Sequence, residues 1–263
     1  MGKAKPSTRP IWRGVISLGL VNVPVKLYPM IKESEVGFRF LRKGDGCPLK
    51  YERVCSTDEE VVPWSEVVRG FEVSKNEYVT FTKEELEAVK PESDKRVKID
   101  KFVSYLDADP IYFETSYILT PDKSPEAYSL LYNVFEKKGM AGLGKFTLRT
   151  KEYPALIHAY KSSIVLTTLR YNEEVVDPQL VEELQELKEP SEKELEMAFK
   201  IVENLSGKFD MEDYRDTYRE RIEELVKKKL KGETIKVERP PTVEEARSLM
   251  DALQATLRQL DKK

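Results

Sequence analysis

The stretch that most constrains the fold is residues 9–30, RPIWRGVISLGLVNVPVKLYPM, which contains no acidic residue. Two runs of mostly aliphatic residues, 15–18 and 23–28, are separated by a short segment that contains Gly19. Such runs divided by turn residues are typical of two short strands. The stretch therefore predicts the first strand pair of a closed or nearly closed β structure with one basic face.

The second of these runs has a clear inside and outside. Val23, Val25 and Leu27 alternate with Pro24 and Lys26, so the aliphatic side chains share one face and the other two face outward. Proline lacks the N–H that a strand ladder uses, which makes it typical of an edge strand or a bulge. We therefore expect this strand at an edge or an irregular position of the sheet.

Further strands and few helices are predicted over the first two thirds of the chain. A Thr82–Glu85 capping box predicts a short helix that stops at Pro91, and Ser124–Pro125 predicts an amphipathic helix before Gly139. Ala127, Leu130, Leu131, Val134 and Phe135 form the apolar face of that helix. About ten short strands with one or two helices favour a β-barrel over alternating βαβ units. The other predicted strands are 36–42, 97–105, 111–119, 144–149, 154–160 and 163–169.

After Tyr171 the pattern becomes helical. A Ser191–Glu194 capping box opens one amphipathic helix, a second is predicted over 213–231, and a third begins at Thr242 behind Pro240–Pro241. These helices form no obvious bundle by themselves, so their apolar faces need another surface to cover them. The apolar stripes run along Leu195, Ala198, Phe199, Val202 and Leu205, along Tyr214, Tyr218, Ile222, Leu225 and Val226, and along Val243, Ala246, Leu249, Met250, Leu253, Leu257 and Leu260.

The net charge of −3 hides an uneven distribution. Residues 1–53 contain 11 Lys and Arg against 4 Asp and Glu, a net charge of +7, whereas the remainder has a net charge of −10. A basic region attached to an acidic body can attract phosphates, because a ligand responds to the local field and not to the total charge. The chain also has no apolar run of the length that spans a bilayer and no signal-peptide pattern, so we expect a cytoplasmic protein without membrane partners.

Enzymatic chemistry finds little support in the sequence. Residues 139–146 resemble a phosphate-binding loop, but Phe146 occupies the position where Ser or Thr must hold Mg²⁺, and a helix precedes the motif instead of a strand. Cys47 and Cys55 cannot complete a tetrahedral zinc site alone, so we predict two buried or half-buried thiols and no metal. The only histidine, His158, lies in a predicted strand and is interpreted as structural.

A carboxylate cluster offers the one hydrolytic alternative. Asp107, Asp109 and Glu114 could pair for acid–base or metal chemistry, but their spacing around Pro110 is more typical of a turn. We therefore predict no catalytic residues and no cofactor.

Five motifs in order resemble the signature of the prokaryotic Ku family, the DNA-end-binding proteins of non-homologous end joining. The resemblance begins in the 9–30 stretch and spans about residues 9–232. The other four motifs are Lys50–Cys55, Asp109–Phe113, Phe146–Arg149 and Tyr214–Tyr218.

The resemblance implies a mainly β fold with α elements: a Ku-type β-barrel with a bridge insertion, followed by a helical C-terminal arm. Residues 1–172 are then the barrel domain, and an insertion near 43–75 arches over DNA. Residues 173–235 form an arm that embraces a second subunit, and residues 236–263 form a helix that docks a partner. Two copies would close a ring that a broken duplex end threads, without reading base sequence. The implied partners are double-stranded DNA ends, a second copy of the chain and an ATP-dependent end-joining DNA ligase.

The site residues follow from this arrangement and from the charge pattern. The predicted phosphate contacts are Arg39, Arg42, Lys43, Lys50, Arg53, Arg69, Lys145, Arg149 and Lys161. Lys145 and Arg149 have the same parity in one predicted strand, so they are predicted on the same face. The predicted dimer contacts are Tyr214, Tyr218, Ile222 and Leu225, and the predicted ligase-docking residues are Leu249, Met250, Leu253 and Leu257. The alternative is a non-enzymatic basic barrel that binds RNA or DNA without closing a ring and without requiring an end.

Overall fold

The computed structural model describes residues 9–32, 36–89, 95–233 and 248–260. The chain divides into two compact units, residues 1–176 and 177–263. Pro91, the Pro240–Pro241 break and the capping box at Thr242 lie outside the described residues.

The strands are β1 Trp12–Leu18, β2 Val21–Pro29, β3 Arg69–Ser74, β4 Glu77–Phe81, β5 Arg96–Ser104, β6 Phe113–Pro121, β7 Met140–Leu148, β8 Lys151–Tyr160 and β9 Ser163–Leu169. The α-helices are α1 Lys83–Ala88, α2 Pro125–Lys138, α3 Glu182–Gln185, α4 Glu192–Leu205, α5 Thr217–Leu230 and α6 Leu249–Leu260.

Seven strands of the first unit form a closed barrel in the order β1–β2–β6–β9–β8–β7–β5. All neighbouring pairs are antiparallel except β1 and β5, which close the barrel through a short parallel pairing of Val15–Ser17 with Arg96–Lys98. The predicted mainly β fold with a barrel is confirmed.

The alternation in β2 is confirmed, but its predicted edge position is wrong. Val23, Val25 and Leu27 are buried, whereas Pro24 and Lys26 are only half-buried. The strand has β1 on one side and β6 on the other. Proline is tolerated because the pairing with β6 begins at the next residue, Val25, so no ladder bond needs the missing N–H.

One continuous hydrophobic core fills the barrel and extends under α2. Leu131 and Phe135 of α2 are buried in it, as predicted, and Gly139 ends the helix in a left-handed conformation. Leu130 and Val134 were predicted on the same face but are exposed, because only one edge of the apolar stripe contacts the barrel. The barrel residues of the core include Ile16, Val25, Leu27, Val97, Leu119, Phe146, Ile157, Ile164 and Leu166.

Glycine permits the close approach of the strands at the point where β5 meets β7. A Cβ atom at Gly144 would lie 1.8 Å from the carbonyl oxygen of Lys98, so no side chain fits without moving the backbone. We expect Gly144→Ala to lower the free energy of unfolding by about 3 kcal/mol, the upper range for forcing extra atoms into a packed core. Gly37→Ala is the matched control, because its Cβ would meet nothing within 4 Å. Equal unfolding temperatures for the two variants would contradict this account of barrel closure.

The segment between β2 and β5 is built differently from the barrel. β3 and β4 form a separate two-stranded sheet, and α1 follows with the predicted capping box between Thr82 and Glu85. The predicted strand over 36–42 is wrong, because within it only Leu41 pairs, in an isolated bridge to Pro48. We call the described residues 36–89 the insertion; it contains no buried residue.

The second unit is helical, as predicted, with one change of boundary. Ser191 and Glu194 form the predicted capping box at the start of α4. The second predicted helix begins at Thr217 and not at 213, because Asp216 caps it by accepting a hydrogen bond from the N–H of Arg219. Tyr214 therefore precedes α5 and lies at the end of a 3₁₀ turn.

The last helix packs within the second unit. The described part of α6 begins at Leu249, where the hydroxyl of Ser248 accepts a hydrogen bond from the N–H of Asp251. α6 lies against α4, and its Leu253 and Leu257 are half-buried while Leu249 stays exposed. None of the helices in the described residues could span a bilayer.

Candidate nucleic-acid interface

Six of the nine predicted phosphate contacts lie in the insertion. All six are exposed, because no described residue of the insertion is buried. A segment without a core is held mainly by its turns and by the short β3–β4 sheet, so its cations are presented to solvent at many points. The six are Arg39, Arg42, Lys43, Lys50, Arg53 and Arg69.

Arg42 is the most constrained of the six. Its guanidinium donates two hydrogen bonds to the carboxylate of Asp45, one of them 3.0 Å long from Nε. This contact lowers the pKa of Asp45 to about 2 and raises the pKa of Arg42. The turn at residues 43–45 brings the two side chains together, and Asp45 also accepts a hydrogen bond from the N–H of Cys47. Arg42 can contact a phosphate only if it gives up at least one of its hydrogen bonds to Asp45.

Arg53 is held by an aromatic ring. Its guanidinium carbon lies 4.1 Å from the centre of the Trp64 ring, within the range of a cation–π contact. The stacked arginine keeps its hydrogen-bond donors at the edge of the guanidinium, where they can reach an anion.

The remaining four of the six predicted contacts are accessible to a ligand. Within the described ranges, none of them has an ion-pair partner. They are Arg39, Lys43, Lys50 and Arg69. Unpaired, solvent-exposed cations are the groups that release counterions when they meet a phosphate backbone.

The three predicted contacts on the barrel do not form one patch. Lys145 in β7 pairs with Glu152 at 2.9 Å, which raises the pKa of the lysine. Arg149 was predicted on the same strand face as Lys145, but it lies in the turn before β8 with a φ of 60°. Lys161 follows β8, so Arg149 and Lys161 flank opposite ends of a ten-residue strand, roughly 30 Å apart.

Sequence reasoning missed the cleft beside Trp64. Trp64 is 70% exposed. Lys83 lines the same cleft, although the sequence did not predict this lysine as a site residue. The sequence signal that could have revealed the cleft was a tryptophan close to arginines in the chain. It was overlooked because the helix that carries Lys83 begins almost twenty residues later in the sequence.

The carboxylates considered for catalysis have structural contacts. Asp109 accepts a hydrogen bond from the N–H of Ile111 at 3.0 Å, as the turn interpretation predicts. Glu114 accepts a hydrogen bond from the hydroxyl of Thr168 at 3.2 Å. Residues 139–146 run from the end of α2 into β7, which is the reverse of a phosphate-binding loop, as predicted.

The cysteines differ in exposure. Cys55 is half-buried, as predicted, but the prediction for Cys47 is wrong, because this thiol is exposed in the turn region after Asp45. Across the described ranges, no three His, Cys, Asp or Glu side chains gather into a group that could hold a metal ion.

His158 lies in β8 and is only 8% exposed. Its ring stacks on Tyr105 with 4.4 Å between centroids, and its Nδ1 has no hydrogen-bond partner in the described structure. Burial lowers the pKa of the imidazole, because the charged form loses hydration.

The chain has a single histidine, so its titration can be followed directly by proton NMR. We expect a midpoint below the ordinary value of about 6.5. Because the folded pKa is lower than the unfolded one, His158 contributes stability above pH 6.5 that is lost as the pH falls through the folded pKa. His158→Gln should lack this part of the pH dependence of unfolding. A midpoint at or above 6.5 would contradict the burial argument.

With this geometry described, the chain can be compared with known proteins. Residues 17–197, more than half of the chain, match the family described as Ku70/Ku80 beta-barrel domain. The chain belongs to the Ku family. The resemblance predicted from the five motifs is thereby confirmed, and the match covers the barrel from the end of β1 onward, the insertion and the start of α4.

Close relatives carry one name. The non-homologous end joining protein Ku of Anaeromyxobacter sp. (strain K) is 42% identical over 252 residues, which cover 95% of this chain and 85% of that protein. The Ku proteins of Archaeoglobus fulgidus and Bacillus subtilis (strain 168) are 38% and 36% identical. They cover 95% and 94% of this chain, and the alignments include 98% and 81% of their own lengths.

Proposed function

We propose that the chain binds ends of double-stranded DNA as a homodimeric ring, without reading base sequence, and recruits an ATP-dependent end-joining DNA ligase. The relatives named for non-homologous end joining support this assignment. The observation that carries it is the insertion, which has no buried residue and presents to solvent cations that have no ion-pair partner among the described residues.

Ring closure requires a second copy, and exposed apolar side chains support one. The insertion exposes Phe38, Phe40 and Phe71, and the second unit exposes Phe199 and Tyr218. Apolar surface of this extent is typical of a protein that binds another protein surface. In the proposed dimer, the insertions of two copies span the duplex and the second units cover each other.

Affinity in this proposal comes from many phosphate contacts, which position a protein on DNA without carrying sequence information. No catalytic step is needed, because the protein acts by occupying the end and bringing a ligase to it. The protein would act on chromosomal DNA in the cytoplasm, where it is nucleoid-associated when bound.

Ligase recruitment is assigned to the last helix, α6, together with α4, against which it packs. Leu253 and Leu257 lie half-buried where α6 meets α4, whereas Leu249 is 61% exposed. The docking surface is therefore the α4–α6 pair with Leu249 at its exposed edge. Met250 is half-buried next to it.

End dependence separates this function from the rival, a basic barrel that binds nucleic acid without a ring. Gel shifts should compare linear duplex, nicked circular duplex and linear duplex capped at both ends by bulky hairpins. We expect strong binding to the open linear duplex alone, because a ring loads only from a free terminus. Equal affinity for all three substrates would support the open barrel instead.

A further inference from the structure

A cleft of about 520 Å³ opens on the insertion between the 3₁₀ turn at Trp64–Glu66, the start of β3 and α1. Its chemistry is mixed and not purely apolar. Trp64, Phe81 and Leu86 supply ring and aliphatic surface, and Arg69 and Lys83 supply positive charge. The volume lies within the range of pockets that hold small molecules of nucleotide size.

The Trp64 ring is fixed on one side and open on the other. The Arg53 guanidinium covers one face at 4.1 Å, and Arg53 does not line the cleft. Because the residue is 70% exposed, the opposite face remains accessible. A tryptophan face held in this way is a platform on which any nucleobase can stack, since every base has a π surface.

The charges around the ring match a nucleotide. Arg69 and Lys83 place two cations at the cleft, where a phosphate flanking a stacked base would lie. Glu87 also lines the cleft. The two cations outnumber the carboxylate, so the cleft favours an anionic ligand.

We propose that this cleft binds an unpaired nucleotide of a single-stranded overhang at a DNA end. This inference rests on the proposed end-binding function. A base inside a duplex is stacked on its neighbours and cannot reach the ring, whereas an overhang nucleotide is already free and need not be flipped out. The cleft thus adds to a sequence-independent clamp a means of distinguishing overhangs from blunt ends.

The test compares a blunt duplex with the same duplex carrying a short overhang that contains 2-aminopurine, using the full chain. We expect the overhang duplex to bind at least about fivefold more tightly and the 2-aminopurine fluorescence to be quenched on binding, because the base stacks on Trp64. Trp64→Leu should remove both the quenching and the preference, measured as the ratio of overhang to blunt affinity, because the variant also releases Arg53 from the ring and so lowers the affinity for both duplexes. Tyr78→Leu is the matched control, since Tyr78 is an exposed aromatic residue of β4 that does not line the cleft.

A second readout uses the protein's own fluorescence. The chain has two tryptophans, and Trp12 packs edge-on against Phe146 with 5.2 Å between ring centroids. Because the chain has only these two tryptophans, Trp12→Phe leaves Trp64 as the only source of indole fluorescence. We expect its emission to fall with the overhang duplex and to change little with the blunt duplex.

The outcomes separate this inference from the proposed function. Failure of the unaltered protein to bind either duplex would overturn end binding itself. Retained blunt-end binding with an overhang preference that survives Trp64→Leu would overturn the cleft assignment alone. A change of oligomeric state in Trp64→Leu without DNA, with the overhang preference intact, would instead identify the cleft as a contact between copies of the chain.

Discussion

Replacing Arg39, Lys43, Lys50 and Arg69 together by glutamine is expected to weaken DNA-end binding at least about a thousandfold at 0.15 M salt. Each phosphate that is no longer neutralised reduces the slope of log K against log salt by about 0.9, so the slope should fall by about 3.6 for the four cations of one subunit and by about 7 for the proposed homodimer. These four predicted phosphate contacts are exposed and have no ion-pair partner in the described structure, so their charge is available to phosphate. Titrations at several salt concentrations measure both quantities.

The matched control removes four charges elsewhere. Lys188, Lys193, Lys200 and Lys208 are exposed lysines of the second unit, and changing them to glutamine alters the net charge equally. We expect the slope of log K against log salt for this variant to equal that of the original protein. If the two quadruple variants show the same reduction in slope, the insertion is not the DNA-binding surface.

Tyr218→Asp is expected to weaken dimerisation at least a hundredfold, about 3 kcal/mol, and to remove end binding with it. Tyr218 lies on α5 and is 62% exposed in the single chain, so the substitution should not disturb the fold of one subunit. A charge placed at that position would be buried without a partner in the proposed dimer. Analytical ultracentrifugation measures the shift, and circular dichroism checks that the helices persist.

Lys227→Ala provides the control for this variant. It changes the charge by the same amount and lies nine residues further along α5, on the opposite side of the helix. We expect it to remain dimeric. An intact dimer for Tyr218→Asp, with end binding unaffected, would show that α5 is not the dimer contact.

The barrel could be predicted from sequence because patterns of neighbouring residues identify its strands and helices. Alternating aliphatic residues identify the inner face of β2, and paired turn and cap residues locate α1, α2 and α4. The error at Pro24 shows what such patterns omit. The pattern cannot reveal that pairing with β6 starts one residue later, which frees a proline to lie in a strand with neighbours on both sides.

The candidate site was harder to predict because its parts depend on contacts distant in sequence. Charge counting identified the basic region over residues 1–53, but it could not show that Arg42 pairs with Asp45 or that Lys145 pairs with Glu152. Parity along a strand placed Arg149 beside Lys145, but β7 ends before it. Whether a cation is available is decided by its neighbours in space, which composition does not give.

Topological trapping tests the central claim most directly. The protein is loaded onto a linear duplex, the ends are then joined into a covalently closed circle, and the complex is washed at high salt. We expect the protein to remain on the circle and to leave a linear duplex under the same wash, because a closed ring cannot leave DNA that has no end. Equal dissociation from circle and linear duplex would contradict a ring threaded by DNA.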